Sequence, residues 1–302
     1  MTSTDVRAVH STSRAFAAVT FENIVITWGH FSYGGNSRTV QSALVEGGVQ
    51  TIHSTKQAFA AVTTNGSVVT WGSSIYAGDS KTVQAALAVG RVQTIYSNEY
   101  AFAAVTSDGS VVTWGRSHYG GNSKTVQSAL AVGRIQTIYS TWQAFAAVTS
   151  NGSVVAWGSS STGGNSRTVQ AALATGKVQT IYSTKQAFAA VTSNGSVVTW
   201  GSSSNGGNSK TVQAALAAAR VQTIYSTTKA FAAVTTNGSV VTWGDSSYGG
   251  NSKTVQSALA LGRVQTIYST TKAFAAVTTN GSVVTWGDSS YGGNSKTVQS
   301  AL

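Results

Sequence analysis

This sequence predicts an all-β fold, a closed seven-bladed β-propeller of 43-residue antiparallel repeats, and three observations predict it. Trp-Gly recurs at Trp28, Trp71, Trp114, Trp157, Trp200, Trp243 and Trp286, always 43 residues apart. A fixed period in the forties marks a repeat architecture. Each period holds short β-type runs joined by Asn-Gly or Asp-Gly, with no helical spacing of apolar residues. The 302 residues hold seven such periods, within the usual blade number of a propeller.

The elements follow in order along one unit. Val-Gln-Thr-Ile-Tyr-Ser is the first strand and Ala-Phe-Ala-Ala-Val-Thr the second. In the unit that starts near 49, Phe59, Ala61 and Thr63 share one face of the second strand. Ala58, Ala60 and Val62 share the other. Both faces are apolar or small, so both are expected to be covered. Asn-Gly at Asn65, Asn151, Asn194, Asn237 and Asn280, with Asp108-Gly109 in the third unit, is a hairpin signal, because a type I′ turn needs positive φ at both positions. Ser-Val-Val-Thr-Trp-Gly is the third strand. A loop rich in Ser, Gly and Asn comes next. Thr-Val-Gln-Ser/Ala-Ala-Leu then reads as a fourth strand or an irregular crossover, which leaves three or four strands per blade.

The seven units, starting near 6, 49, 92, 135, 178, 221 and 264, are read as one domain, 1–302. The C-terminal segment 297–302 is expected to join residues 6–29 in a composite blade and close the ring. A closed ring exposes few strand edges, so a monomer is expected. Val221–Leu259 and Val264–Leu302 are identical, while the first unit carries Phe21-Glu22-Asn23 in place of Thr-Asn-Gly. Such uneven drift points to recent duplication. It keeps open an amplified or engineered repeat domain with no specialised function of its own.

Composition excludes several function classes. With no Cys, the chain has no disulfide framework, thiolate metal site or cysteine nucleophile. No apolar run approaches the roughly 18 residues of a membrane span, so membrane insertion is not expected. Met1 to Arg14 lacks the apolar stretch of a signal peptide. The compartment is left unassigned. His10 and His53 fill the slot that holds Tyr96, Tyr139, Tyr182, Tyr225 and Tyr268 elsewhere, which marks the slot as structural. The eight acids are scattered, and no Gly-x-Ser-x-Gly elbow occurs. Gly121–Thr125 has the flavour of a phosphate loop but lacks the glycine before its lysine. A non-enzyme with no catalytic residue, metal or cofactor is expected.

Residues 58–72, Ala-Phe-Ala-Ala-Val-Thr-Thr-Asn-Gly-Ser-Val-Val-Thr-Trp-Gly, resemble the repeat of the regulator of chromosome condensation family, whose pattern is His-x-Leu-Ala-Leu-x-x-Asp-Gly-x-Val-x-x-Trp-Gly. The resemblance spans essentially the whole chain and is nearest to bacterial and protist variants. Two positions depart from it: the family's His is lost here, and the Pro of its Thr-Val-Pro-Ala-Ala-Leu segment is Gln84. The resemblance implies a propeller that serves as a rigid scaffold for protein contacts.

Two surfaces are candidates for binding. Nineteen bases against eight acids give a net charge of +11. The position ten residues after each Trp is basic in every unit: Arg38, Lys81, Lys124, Arg167, Lys210, Lys253 and Lys296. A second position is basic in five: Arg91, Arg134, Lys177, Arg220 and Arg263. Such rings fit nucleic acid or an acidic polysaccharide, or they are one solvating base copied with the repeat. The units differ chiefly in two loops, the pair before the Phe strand and the stretch after Trp-Gly. Strand alternation puts both at one end of each sheet. Unusual side chains gather there in units two to four: Tyr76, Glu99, Tyr100, Arg116, His118, Tyr119 and Trp142. Trp, Tyr and Arg dominate binding hot spots. A protein partner on this loop face is therefore the leading expectation, with polyanion binding as the alternative.

Overall fold

A computed structural model describes residues 5–295. The described chain forms seven three-stranded antiparallel sheets, each with its strands in sequence order. This is the all-β blade content of a seven-bladed β-propeller. Segment 297–302, on which ring closure was expected to depend, lies outside the described residues. The chain divides into two compact units. The first runs to Ser150 and includes Val155–Ser159, and it holds sheets 1 to 4. The second, Asn151–Val154 with Ser160 onward, holds sheets 5 to 7.

Sheet 2 shows the pattern in the first unit, with strands Val49–Ser54, Ala58–Thr63 and Val68–Gly72. Phe59 lies opposite Trp71, and their rings stack at 5.2 Å. The register of the first two strands shifts between Val49 and Thr51, a one-residue irregularity at Gln50. Within each unit, successive sheets pack face to face. Ala60 and Val62 of sheet 2 share a core with Phe102, Ala104 and Trp114 of sheet 3. The opposite face of sheet 2, Phe59 and Ala61, packs with Ala15, Ala17 and Val19 of sheet 1. Alanines on one sheet make room for the aromatic pair of the next. Both expected faces are covered, and the whole middle strand Ala58–Thr63 is buried. The second unit repeats this: Ala187, Ala189 and Val191 share a core with Phe231, Ala233 and Trp243. In sheet 1 the stack is kept at 5.3 Å, but Phe16 is 45% and Trp28 46% exposed.

The recurrence of Trp-Gly has a physical cause. The indole N–H of Trp71 donates to the Gly34 carbonyl, 37 residues back in the loop of the preceding sheet, at 3.0 Å. Trp114, Trp157, Trp200, Trp243 and Trp286 repeat the bond at 2.9–3.1 Å. Each is buried, where an unpaired donor would cost about 1–3 kcal/mol. The acceptor residue is also a seat. Gly120, at φ +102, lies so close to the next Phe ring that a Cβ there would stand 2.6 Å from Phe145.

The fourth segment is helical. Lys81–Val83 is a 3₁₀ turn and Gln84–Val89 a short α-helix, and the segment is helical in all six units where it is described, so each sheet of the described residues has three strands. Gln-Ala-Ala-Leu favours helix, and Leu87 is 2% exposed against the next sheet. Gln84, at the family's proline position, donates through Nε2 to the Val68 carbonyl at 3.2 Å and to Ser80 Oγ at 2.7 Å. Gln127 does the same to Val111 and Ser123. The side chain thus occupies the edge of the third strand that a fourth strand would need.

Candidate binding site on the loops of sheets 2 to 4

The two variable loops meet at one end of each sheet, because the residue after Trp-Gly donates to the loop before the Phe strand. Ser73 N–H bonds the Gln57 carbonyl and Arg116 N–H that of Tyr100, both at 3.0 Å. Neighbouring sheets are joined at the same level, Lys56 N–H to the Glu99 carbonyl at 3.1 Å and Glu99 N–H to that of Trp142 at 3.4 Å. The loops of sheets 2, 3 and 4 are therefore one surface.

Tyr100 is the hub of that surface. It is 8% exposed. Tyr76 of sheet 2 stacks on it at 5.0 Å, Tyr119 of its own sheet lies at 4.9 Å, and Trp142 of sheet 4 at 6.4 Å. The Arg116 guanidinium lies over Tyr119 at 5.0 Å and over Tyr100 at 5.7 Å. Burial raises the Tyr100 phenol above its ordinary pKa, and the Glu99 charge adds to this. Glu99 pairs with Lys56 at 3.3 Å, a bond that raises the lysine. Four predicted residues, Tyr76, Arg116, Tyr119 and Trp142, thus converge on a fifth, Tyr100, and Glu99 borders them. His118 is exposed on the turn Ser117–Tyr119.

Sequence reasoning missed three supports. Asn98 accepts from the N–H groups of Tyr100 and Ala101 at 2.8 and 2.9 Å and donates to the Tyr119 carbonyl at 2.7 Å. It fixes both loops at once. The signal was visible, since this slot is Thr in every other unit, Thr55 and Thr141 among them. Gln143 hydrogen-bonds the Tyr100 side chain. Lys56 was unremarkable without the knowledge that it faces Glu99.

The basic sets separate. Arg38, Lys81, Lys124, Arg167, Lys210 and Lys253 are exposed, and each opens a 3₁₀ turn. An Asn or Asp two residues back, as with Asp79 and Asn122, accepts the backbone N–H. Among the described residues none of these six side chains is in an ion pair; Lys296 lies outside them. Three of the second set are spent on the fold. Arg91 Nη2 donates to the Thr64 carbonyl of the preceding hairpin at 2.6 Å, and Arg220 and Arg263 reach Ser193 and Thr236 at 2.5 Å.

The tyrosine slot of the first strand is a junction as well. Tyr182 and Tyr225 hydroxyls lie 3.3 Å from Thr223 and Thr266 of the next sheet. His53 is shorter, and its buried Nε2 has no partner. Burial, helped by the charge of His10, lowers its pKa to about 4.

No protein-family model and no curated protein matches the chain. Similar solved structures include the ectodomain of the Physcomitrella patens receptor kinase CR4, at 14% identity and TM-score 0.48, covering 93% of this chain and 72% of that one. Yeast RCC1 (Prp20), solved with Kap60 bound, follows at 15% and 0.47, covering 93% and 70%. Human WBSCR16 stands at 15% and 0.45, covering 82% and 78%. At these scores the likeness bears on neither fold nor function.

Proposed function

We propose that the chain is a non-enzymatic binding scaffold of the regulator of chromosome condensation repeat type, which holds a protein partner on the loops of sheets 2 to 4. The observation that carries this is the Tyr100 hub. Three residues that no other unit carries at their slots, Tyr100, Arg116 and Trp142, come together there with the recurrent Tyr76 and Tyr119, whereas independent drift would scatter them. Rigid aromatics beside an arginine, on loops held by a sheet scaffold, make a preorganised surface. The test places a photo-crosslinking residue at exposed His118 and identifies what it captures. Trp142→Ala is expected to weaken the captured protein at least about tenfold, a loss of about 1.4 kcal/mol. Unchanged affinity would overturn the reading.

A second reading rests on the exposed basic set. Unpaired bases at one slot per repeat fit a linear polyanion. Labelled random-sequence DNA, titrated at about 50 and 200 mM salt, tests it, since phosphate contacts lose affinity steeply over that range. Binding that is absent at both salts leaves the bases as copied solvating residues.

A further inference from the structure

We infer that Arg116 is the anion receptor of the loop face, and that it holds a carboxylate of an acidic protein segment. This rests on the loop-face reading and names the partner's chemistry. In sheets 6 and 7 the slot of Arg116 holds Asp245 and Asp288, and the slot of Tyr100 holds Lys229 and Lys272. There the charges are matched in place, Lys229 to Asp245 at 3.9 Å and Lys272 to Asp288 at 3.6 Å. Sheet 3 transposes the arrangement. The aromatic takes the lysine slot, the cation takes the aspartate slot, and the carboxylate is gone. The neighbouring acid, Glu99, is already held by Lys56. Among the described residues no carboxylate pairs with the exposed Arg116.

Its guanidinium carbon lies over the Tyr119 and Tyr100 rings at 5.0 and 5.7 Å, and among the described residues no side-chain hydrogen bond takes up its N–H groups. The planar N–H fork remains for an oxyanion, with part of the ordering entropy already spent. A phosphate site draws on an arginine cluster. One arginine beside one exposed histidine suits a monoanionic carboxylate. The net charge of +11 favours encounter with an acidic partner. Ile75, 60% exposed next to Tyr76, offers an apolar contact for the same segment.

The probe is an acetylated, amidated peptide alternating Glu and Leu, compared with versions carrying Gln or phosphoserine in place of Glu. Binding is followed by calorimetry and by the Arg Nε–H resonances. The Glu peptide is expected to bind saturably and shift one arginine signal, and the Gln peptide is not. Arg116→Ser, which restores the residue of sheets 2, 4 and 5, is expected to remove that signal and weaken binding at least about tenfold. The double change Tyr100→Lys with Arg116→Asp, which rebuilds the arrangement of sheet 6, is expected to do the same with the fold intact. Equal binding by Arg116→Ser, a preference for the phosphoserine peptide, or no saturable shift would each overturn the proposal. If Trp142→Ala weakens the crosslinked partner while Arg116→Ser does not, the carboxylate receptor falls and the loop-face reading stands.

Discussion

Sheet 3 and sheet 6 use the same backbone to opposite ends. Both have the loop before the Phe strand bonded to the loop after Trp-Gly, and both place a tyrosine at the close of the 3₁₀ turn, Tyr119 and Tyr248. In sheet 6, Lys229 lies over Tyr248 at 4.6 Å and faces Asp245, so its charge is matched within the sheet, and Lys272 of sheet 7 lies over the same ring at 5.3 Å. In sheet 3 the hub Tyr100 draws its partners from three sheets and leaves a cation unpaired. The lesson is that a repeat carries its scaffold in the strands and its recognition chemistry in two loop slots. The strand register is the same in both sheets whatever those slots hold.

The largest effect that sharpens this comparison lies under the loops. Gly120 closes the turn of sheet 3 beneath the Phe145 ring, while a Cβ on its counterpart Gly292 in sheet 7 would meet no atom of the described residues within 4 Å. Both have positive φ, +102 and +94. Gly120→Ala is expected to cost about 3 kcal/mol, from left-handed strain plus overpacking. Gly292→Ala is expected to cost about 1 kcal/mol, from strain alone. Urea midpoints of the two variants measure the difference. Equal losses would mean that the aromatic seat yields and does not hold the sheets in register.

A comparable effect separates sheet 2 from sheets 5 and 6 at the first strand. His53 has a folded pKa of about 4, below the ordinary 6.5. The unfolded chain therefore binds more protons between those values, and stability falls as pH drops from about 6.5 toward 4. The loss has an upper bound of about 3 kcal/mol. His53→Tyr supplies the hydroxyl that Tyr182 and Tyr225 use to meet the next sheet, with Thr94 as its acceptor by register. The variant is expected to flatten the pH dependence and raise the urea midpoint. An unchanged slope would place the titration elsewhere, and His10, also lowered by burial, is the next group to alter.

Truncating the hub tests whether the two loop arrangements differ in energy as well as in chemistry. Tyr100→Ala removes a buried ring with contacts in three sheets and is expected to cost about 2–3 kcal/mol. Lys229→Ala removes a half-exposed ion pair and one cation–π contact. Its expected cost is under about 1 kcal/mol. Similar melting shifts for the two would make Tyr100 a surface ornament.

Much of this architecture was legible because repetition averages out local ambiguity. The 43-residue period and the two apolar faces of Ala58–Thr63 each have one physical reading, and the sheets confirm them. Asn-Gly does join the second and third strands, but with positive φ at the glycine alone, as at Gly66 (+82), so the turn is not the expected type I′. The Thr-Val-Gln-Ala-Ala-Leu segment was ambiguous because six residues carry too little periodicity to separate strand from helix. What decides it is Gln84 reaching the Val68 carbonyl, a tertiary bond. Tyr100, Arg116 and Trp142 stood out as departures from the repeat, while Tyr76 and Tyr119 keep the tyrosine that Tyr33, Tyr248 and Tyr291 also hold. Their convergence on Tyr100 depends on sheet-to-sheet register, and Asn98 and Lys56 take their roles from partners 21 and 43 residues away.

The smallest effect concerns the one turn beneath the loop face that breaks the glycine rule. Ala77 occupies the seat position in sheet 2 at φ +73, where Gly34 and Gly120 stand in sheets 1 and 3. A non-glycine residue there bears about 1–2 kcal/mol of left-handed strain. Ala77→Gly relieves it. The same change costs about 0.5–1 kcal/mol in chain entropy, and the buried methyl is lost as well. The net expectation is a gain of about 0.5 kcal/mol at most, read as a small rise in the urea midpoint. The Ala77 carbonyl accepts the Trp114 indole at 3.1 Å and keeps that role in the variant, so Trp114 burial should not change. A loss of stability would show that the methyl packs well enough to offset its own strain. The seat would then be shaped by Phe102 and Trp114 around whatever occupies it, and not by glycine.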